Sequence, residues 1–420
     1  MSQENETKRD HDLHAAMDKL LLEHGAYIPV ELLLHEGRLR YSDYEAWRCG
    51  EVDSLDDVLL GNPERIFKRL YQASEWAVSL GLEPDSQDYY AWGAKAGGRK
   101  LVFLHDNQQS EELLRTHYVR KQDLAPSPGQ VSQLDLFLDS GATPIVNDII
   151  NALASRRLDD VEILLERLAE REPGHRSRHA LDSLFAALYQ LENSPDLISP
   201  EELLANLEKY LIPLAKELLG IKARDFLTPF WRQLAESLDG ISFDPDRPKL
   251  HNSWVGINIL EWESVRDSIV AEPKWIKYPE LYERLAKAYY HLGEHYQAIV
   301  ILCRLCWSFQ EEAMSILTES NLSSPEVHRA WTEFLDLDVE PLLDASWFPA
   351  WLLLFQPGMA RRLGTGTAPE NTSSGRVFRA LHDLLLLKKE GDIDQEMLRL
   401  RAIIKAEHEG LFRIYLSRFA

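Results

Sequence analysis

The sequence predicts a mainly α-helical protein with a small α+β domain at its N-terminus, and three observations carry that prediction. From about residue 134 to the end, apolar residues recur at helical spacing with few interruptions. The first 120 residues instead combine short helical patterns with two strand-like runs. Between them KQDLAPSPGQVSQ, Lys121 to Gln133, gathers two prolines, a glycine and polar side chains, the composition of a linker. The expected division is therefore a helical/α+β domain over 1–120, a linker over 121–133 and a helical array over 134–420. A chain of 420 residues is long enough for about two or three domains.

In the N-terminal part, RYSDYEAWRCGE predicts a short helix with Ser42 as N-cap, Glu45 completing a capping box and Gly50 ending it. Its Tyr44 and Trp47, three residues apart, share a face and are expected in the core. Pro63 at the first helical position opens a longer helix to about Leu80, with Ile66, Leu70, Ala73 and Ala77 along one stripe. DYYAW and KLVFLH then read as strands flanking the Gly-rich loop GAKAGGR. Gly93 and Gly98 have Walker A spacing, but Arg99 and Lys100 stand where Lys and Ser or Thr belong, and a strand follows where that motif needs a helix. The loop is expected to be structural.

Beyond the linker, Leu181, Leu184, Phe185 and Leu188 mark one amphipathic helix, and Pro200 with Glu201 and Glu202 begins another that runs close to Gly220. The Pro-rich stretch 241–253 and the stretch 364–376 break the helical pattern and are expected as loops, the second a mobile surface loop. LFRIYLSRF closes the chain, its Leu411, Ile414, Tyr415 and Phe419 forming a face that can dock.

Charge narrows the function classes. With 46 Lys and Arg against 68 Asp and Glu, the net charge of −22 repels phosphate backbones and acidic lipids, so neither nucleic acid nor membrane is an expected partner. The longest compact apolar run, Trp347 to Phe355, has nine residues and contains Pro349, far short of the roughly 20 a membrane helix requires. No apolar region follows the polar start MSQENETKRD, and three cysteines, Cys49, Cys303 and Cys306, make no disulfide framework. The expected location is the cytoplasm.

The 34 residues Pro279 to Glu312 carry the most specific pattern: Tyr282, Leu285, Ala286, Tyr289, Gly293, Ala298 and Leu302 alternate large and small side chains about a glycine turn. In this they resemble a tetratricopeptide repeat. Small residues at Ala286 and Ala298 let two antiparallel helices approach, and Gly293 lets the chain leave the first. Ala142 to His175 is a weaker match, with Val161, Leu165, Leu168 and Pro173 in register. It starts 137 positions before Pro279, against 136 for four periods of 34. The resemblance implies a protein-binding scaffold whose groove is lined by first-helix residues, here Glu280, Glu283, Lys287, Tyr290 and His291. The family's clamp for a C-terminal carboxylate has Lys then Asn where this sequence has Glu283 then Lys287. A mixed acidic and aromatic groove suits a basic or amphipathic protein segment better.

The same stretch contains two metal-like spellings, His291, Glu294 and His295 as H-x-x-E-H, and Cys303 with Cys306 as C-x-x-C. The first needs one unbroken helix, and Gly293 interrupts it. Cys303 lies eight residues past His295, about 12 Å along a helix, whereas ligands of one zinc stand within about 4 Å of each other. No metal, cofactor or catalytic residue is therefore expected. The alternative function is an enzyme or metal-dependent protein with its site in the N-terminal domain or in the 241–253 loop, where Asp244 and Asp246 are the carboxylates to inspect. A purely structural subunit is a third reading.

Overall fold

The computed structural model describes residues 13–22, 24–92, 99–105, 107–120, 142–193, 199–319, 325–387 and 395–419. The expected linker lies outside them, as does the Gly-rich loop over 93–98. The protein is mainly α-helical, and its contacts divide it into two compact units, Met1–Glu261 and Trp262–Ala420.

The first unit contains two apolar cores. One is built by α1 (residues 13–22), α2 (Pro29–His35), α3 (Tyr41–Arg48), α4 (Pro63–Ser79) and α5 (Gln108–Arg115) around Tyr27, Tyr41, Trp47 and Phe103. Pro63 starts α4 as expected, its N-cap Asn62 accepts the amide of Arg65, and Ile66, Leu70, Ala73 and Ala77 are all buried. Tyr44 and Trp47 are core residues as well. The cap of α3 differs from expectation: the helix begins at Tyr41 and Arg40 is the capping position, so Ser42 lies inside the first turn. Glu45 is thereby released from a capping box and binds Arg156, in the turn between residues 154 and 158, and Arg232.

The expected strand runs do approach each other, Ala91 N–H donating to Arg99 and Leu101 N–H to Tyr89. The regular two-stranded sheet lies elsewhere: β1 (Glu83–Ser86) runs antiparallel to β2 (Thr116–Val119), with Glu83 opposite Val119 and Ser86 opposite Thr116. Pro84 conceals β1 in the sequence; the sheet tolerates it because β1 is an edge strand.

The second core is made by α6 (Thr143–Ala154), α7 (Leu158–Arg171), α8 (Arg178–Asn193), α9 (Pro200–Asn206), α10 (Ile212–Leu219), α11 (Ala223–Ser237) and α12 (Asn252–Asn258). Helices α9 and α10 are joined by one wide turn, Leu207–Leu211, ending two residues before Pro213. Proline lacks an amide proton and crowds the preceding turn, and a locally widened helix accommodates both. The 241–253 loop is held against α9 and the wide turn by Arg247 with Glu201 and Lys249 with Glu208.

The second unit is a succession of packed helices: α13 (Trp262–Ala271), α14 (Pro279–His291), α15 (His295–Ser308), α16 (Gln310–Glu319), α17 (Pro325–Leu335), α18 (Phe348–Phe355), α19 (Ser373–Leu386), α20 (Gln395–Glu407) and α21 (Glu409–Phe419). Neighbours in sequence are mostly neighbours in space, the arrangement of a helical-hairpin array. Helix α18 departs from a simple array because every residue from Phe348 to Leu354 is buried, among α15, α17, α19 and α21. Trp351 makes it a hub, donating to Ala330 O at 2.8 Å while Arg418 lies over its ring at 4.7 Å.

Cys303 and Cys306 are both buried. The stretch 364–376 breaks the helical pattern at the surface as expected, with Ala368 buried, and its end enters α19, which Thr372 caps and which starts at Ser373. A Cβ on Gly375 would stand 1.9 Å from the carbonyl oxygen of Pro369, so only glycine lets α19 begin there.

Candidate functional site

The helical hairpin at 279–308 forms as its spacing predicts. Leu285, Ala286, Ala298 and Leu302 are buried, and Gly293 sits in the left-handed region at φ 77°. The weaker match at 142–171 makes the same turn. There the equivalent position is Arg156, at φ 57°, and it is 137 positions before Gly293. For a residue with a Cβ that conformation costs about 1–2 kcal/mol, so local preference does not explain it.

The five groove residues share α14 but not one environment. Glu283 pairs with Lys287 at 2.8 Å, and both are half-exposed, as are Glu280 and Tyr290. His291 stacks on Trp262 of α13, ring centroids 4.0 Å apart and ring planes nearly parallel, and Tyr290 meets the ring of His295 at 5.0 Å. His291 thus fixes α13 against α14. The metal-like spellings separate: His291 ends α14, His295 begins α15, and burial pushes the Cys303 thiol up to about 12 and that of Cys306 well above its usual value. Among the described residues no group of three or more His, Cys, Asp and Glu is placed to hold a metal ion. Asp244 is a turn residue, accepting from the Asp246 amide and from Arg247. His14 stacks on Trp76 at 3.9 Å.

The densest buried chemistry lies in the first unit and centres on Asp225, in the first turn of α11, where the helix dipole favours a carboxylate. Tyr41 and Tyr44 donate to its two oxygens at 3.3 and 3.2 Å, and Arg48 donates to the Tyr44 hydroxyl at 2.9 Å. Arg224 grips Glu31 through two parallel bonds of 2.6 and 2.7 Å. Burial alone pushes the Glu31 carboxyl up, but the charge and hydrogen bonds of Arg224 more than offset it and hold the group below its ordinary range. Arg156 donates to Glu45 and to the Asp225 carbonyl, and its guanidinium lies 4.4 Å from the Trp92 ring centroid. Arg232 bonds Glu45 and Glu261. These eight ions comprise four arginines and four carboxylates, so the network is closed in charge.

Beside it opens a cleft of about 650 Å³. Tyr44, Arg48 and Asp225 belong both to the network and to its lining, together with Glu31, His117 and Lys222. Burial pushes the His117 imidazole down to about 4, with Asp85 and Glu31 opposing, and its Nε2 lies 3.0 Å from the Tyr89 hydroxyl. Burial likewise raises the phenols of Tyr44 and Tyr89, so both remain neutral hydrogen-bond donors. Lys222 is half-buried and donates to the amide oxygen of Asn151; burial and the charge of Arg48 lower its proton affinity, and Asp225 raises it.

None of these six cleft residues figures among the sequence-derived candidates. One local signal existed: Tyr41, Tyr44 and Arg48 are spaced three and four apart and so share a face of α3. Their partners on α11 lie 177 to 187 residues away, and nothing local indicates them. Comparison of the chain with protein-family models, with curated proteins and with solved structures finds no match.

Proposed function

We propose that the protein is a cytoplasmic scaffold that holds a segment of another protein against a helical face and catalyses no reaction. The observation that carries this reading is the recurrence of one helical hairpin, with the same left-handed turn, at Arg156 and at Gly293. Hairpins of this kind stack side by side and leave one row of helices free to receive an extended or helical segment. The reading is supported further by the pairing of the charges that acid–base chemistry would need: Glu31 and Asp225 are engaged by arginines, and His117 is held neutral.

The receiving face in this reading is the half-exposed row Glu280, Glu283, Lys287 and Tyr290, with His291 acting through Trp262 as a positioning residue. Two carboxylates and one ammonium in that row, on a chain of net charge −22, favour a basic or amphipathic partner segment. The test is photo-crosslinking from position 290 in native extract, followed by mass spectrometry. A partner should be captured through a basic segment, and Glu280→Lys combined with Glu283→Lys should lower its yield about tenfold while the helical content stays unchanged. Capture that is indifferent to this charge reversal would overturn the proposal.

A further inference from the structure

The joint between α20 and α21 carries a second inference, independent of the helical face. His408 is the single residue between the two helices, and its side chain is buried. Its Nδ1 accepts the backbone N–H of Leu411 at 3.1 Å, so the imidazole caps the first turn of α21. A ring nitrogen that accepts carries no proton, and the one ring proton of a neutral histidine therefore sits on Nε2. Nε2 lies 3.1 Å from the carbonyl oxygen of Pro341, a group that only accepts, and donates to it. Both contacts require the same neutral tautomer. In the doubly protonated ring, Nδ1–H would face the Leu411 N–H, donor against donor. The ring is also hemmed in: Trp347 meets it edge-on at 4.8 Å, and a Cβ on Gly410 would stand 3.2 Å from its Cε1. The same Cβ would stand 3.0 Å from Val339 Cβ and 3.3 Å from the Glu340 carbonyl oxygen, so the 339–341 segment lies directly on the start of α21.

We propose that His408 is an acid-sensitive latch, protonation at Nδ1 uncapping α21 and releasing it from α18 and from the 339–341 segment. The hold of α21 on α18 is compact: Arg418 donates to the Leu354 carbonyl and lies over the Trp351 ring, and Leu411 and Tyr415 are the buried side chains of the helix. Loss of the first-turn cap therefore weakens the whole element. Burial opposes the proton on His408 and the Pro341 carbonyl favours it, with no charged side chain adding to either. The charged neighbours are engaged with one another: Glu407 of α20 with Arg376, Glu409 of α21 with Arg413 and Lys405, and Asp344 before Trp347 with Ser346. In the 339–341 segment Glu340 presents its carbonyl oxygen to Gly410, and Pro341 its carbonyl oxygen to the ring. Released, the imidazole takes up a proton near its ordinary pH of about 6.5; latched, burial allows this only at lower pH. Between those two values acid favours the released helix, and neutral pH favours the latched one.

The test is hydrogen exchange of the full chain, resolved by peptide and corrected for intrinsic rates, with α16, which contains no histidine, as internal reference. From pH 7 to pH 5 the opening of α21 should rise about fivefold over that reference, below the limit of about tenfold per pH unit that one proton sets. His408→Asn puts a side-chain oxygen where Nδ1 accepts and takes no proton, so α21 should stay closed at both pH values. His408→Ala removes the cap and should open α21 about fivefold already at pH 7, with no further rise in acid. NMR of the ring nitrogens at pH 7 should place the proton on Nε2. A proton on Nδ1, an α21 that opens in acid no more than α16, or an acid response retained in His408→Asn would each overturn the proposal. If melting shows that His408→Asn does not fold, the ring tautomer and the exchange of the unaltered chain decide alone.

Discussion

The two units close their interiors by opposite means. In the first, α3 meets α11 through hydroxyls, carboxylates and guanidiniums gathered about Asp225. In the second, the equivalent central place is taken by α18, seven of whose eight residues are buried and whose buried residues are all apolar. An apolar interior tolerates approximate partners, since any well-shaped hydrocarbon restores most of the lost burial. A buried ionic network does not, because removal of one member leaves the others charged and unpaired in a poor solvent. Packing two separate apolar cores against each other through such a network makes their register depend on a few specific residues.

That contrast is broken most directly at Asp225. Asp225→Ala leaves Arg48 without its carboxylate and removes the acceptor of two buried phenols, and should cost about 3–5 kcal/mol in denaturant unfolding of the first unit. Trp351→Ala in the second unit should cost a similar amount by cavity formation, about 3–5 kcal/mol. The two differ in rescue. Adding Arg48→Met to Asp225→Ala should recover part of the loss, since the stranded charge is gone, whereas no single second substitution refills the Trp351 cavity. Absence of recovery would show that Asp225 acts through packing and not through charge.

Acid sharpens the comparison. In the first unit the imidazoles of His35 and His117 are both held down to about 4 by burial. His35 faces Lys19, His24 and Glu31, and His117 faces Asp85, Glu31, Lys222 and the Tyr89 hydroxyl. Unfolded, both imidazoles bind a proton near pH 6.5; folded, only near 4. Between those values the unfolded chain holds more protons, so stability falls as pH is lowered through the window, by about 1.4 kcal/mol per pH unit for each histidine at the steepest. Glu31, held low by Arg224, adds its loss further down, as pH falls through its folded value. In the second unit burial lowers the His408 imidazole, opposed by its hydrogen bond to the Pro341 carbonyl. Hydrogen exchange resolved by peptide, corrected for intrinsic rates, should therefore show the first unit opening more readily at pH 5 than at pH 7 by a larger factor than the second. Equal changes in both would refute the assignment of acid sensitivity to His35 and His117.

Local features of the fold were legible in the sequence because each is written within a few residues. The Asn62–Pro63 start of α4, the burial stripe along it and the turn at Gly293 all follow from neighbouring side chains. Expectation failed where a distant partner decides the outcome. Glu45 looks like the third residue of a capping box until Arg156 and Arg232, 111 and 187 residues away, claim it. The composition of 364–376 marks a break between helices, but not that α19 already begins at Ser373, where the close approach of Pro369 to Gly375 fixes its first turn. The cleft was invisible for the same reason, its floor being drawn from α2, α3, β2 and the start of α11.

The smallest effect separates the two hairpin turns. Gly293 has no atom within 4 Å of where a Cβ would be, so Gly293→Ala meets no clash and should cost only the backbone term, about 1–2 kcal/mol. Arg156 already bears that strain, and Arg156→Gly should relieve it. The same substitution, however, removes the bonds to Glu45 and to the Asp225 carbonyl and the stacking on Trp92. Charged hydrogen bonds contribute about 1.5–3 kcal/mol each, more than the strain relieved, so Arg156→Gly should destabilise despite the easier backbone. Both variants are read by denaturant midpoint at constant slope. If Arg156→Gly instead stabilises the chain, the turn is a plain repeat turn and the arginine network is ornament on it; if it destabilises, one backbone turn has been kept in both units while only the first uses its side chain to join two cores.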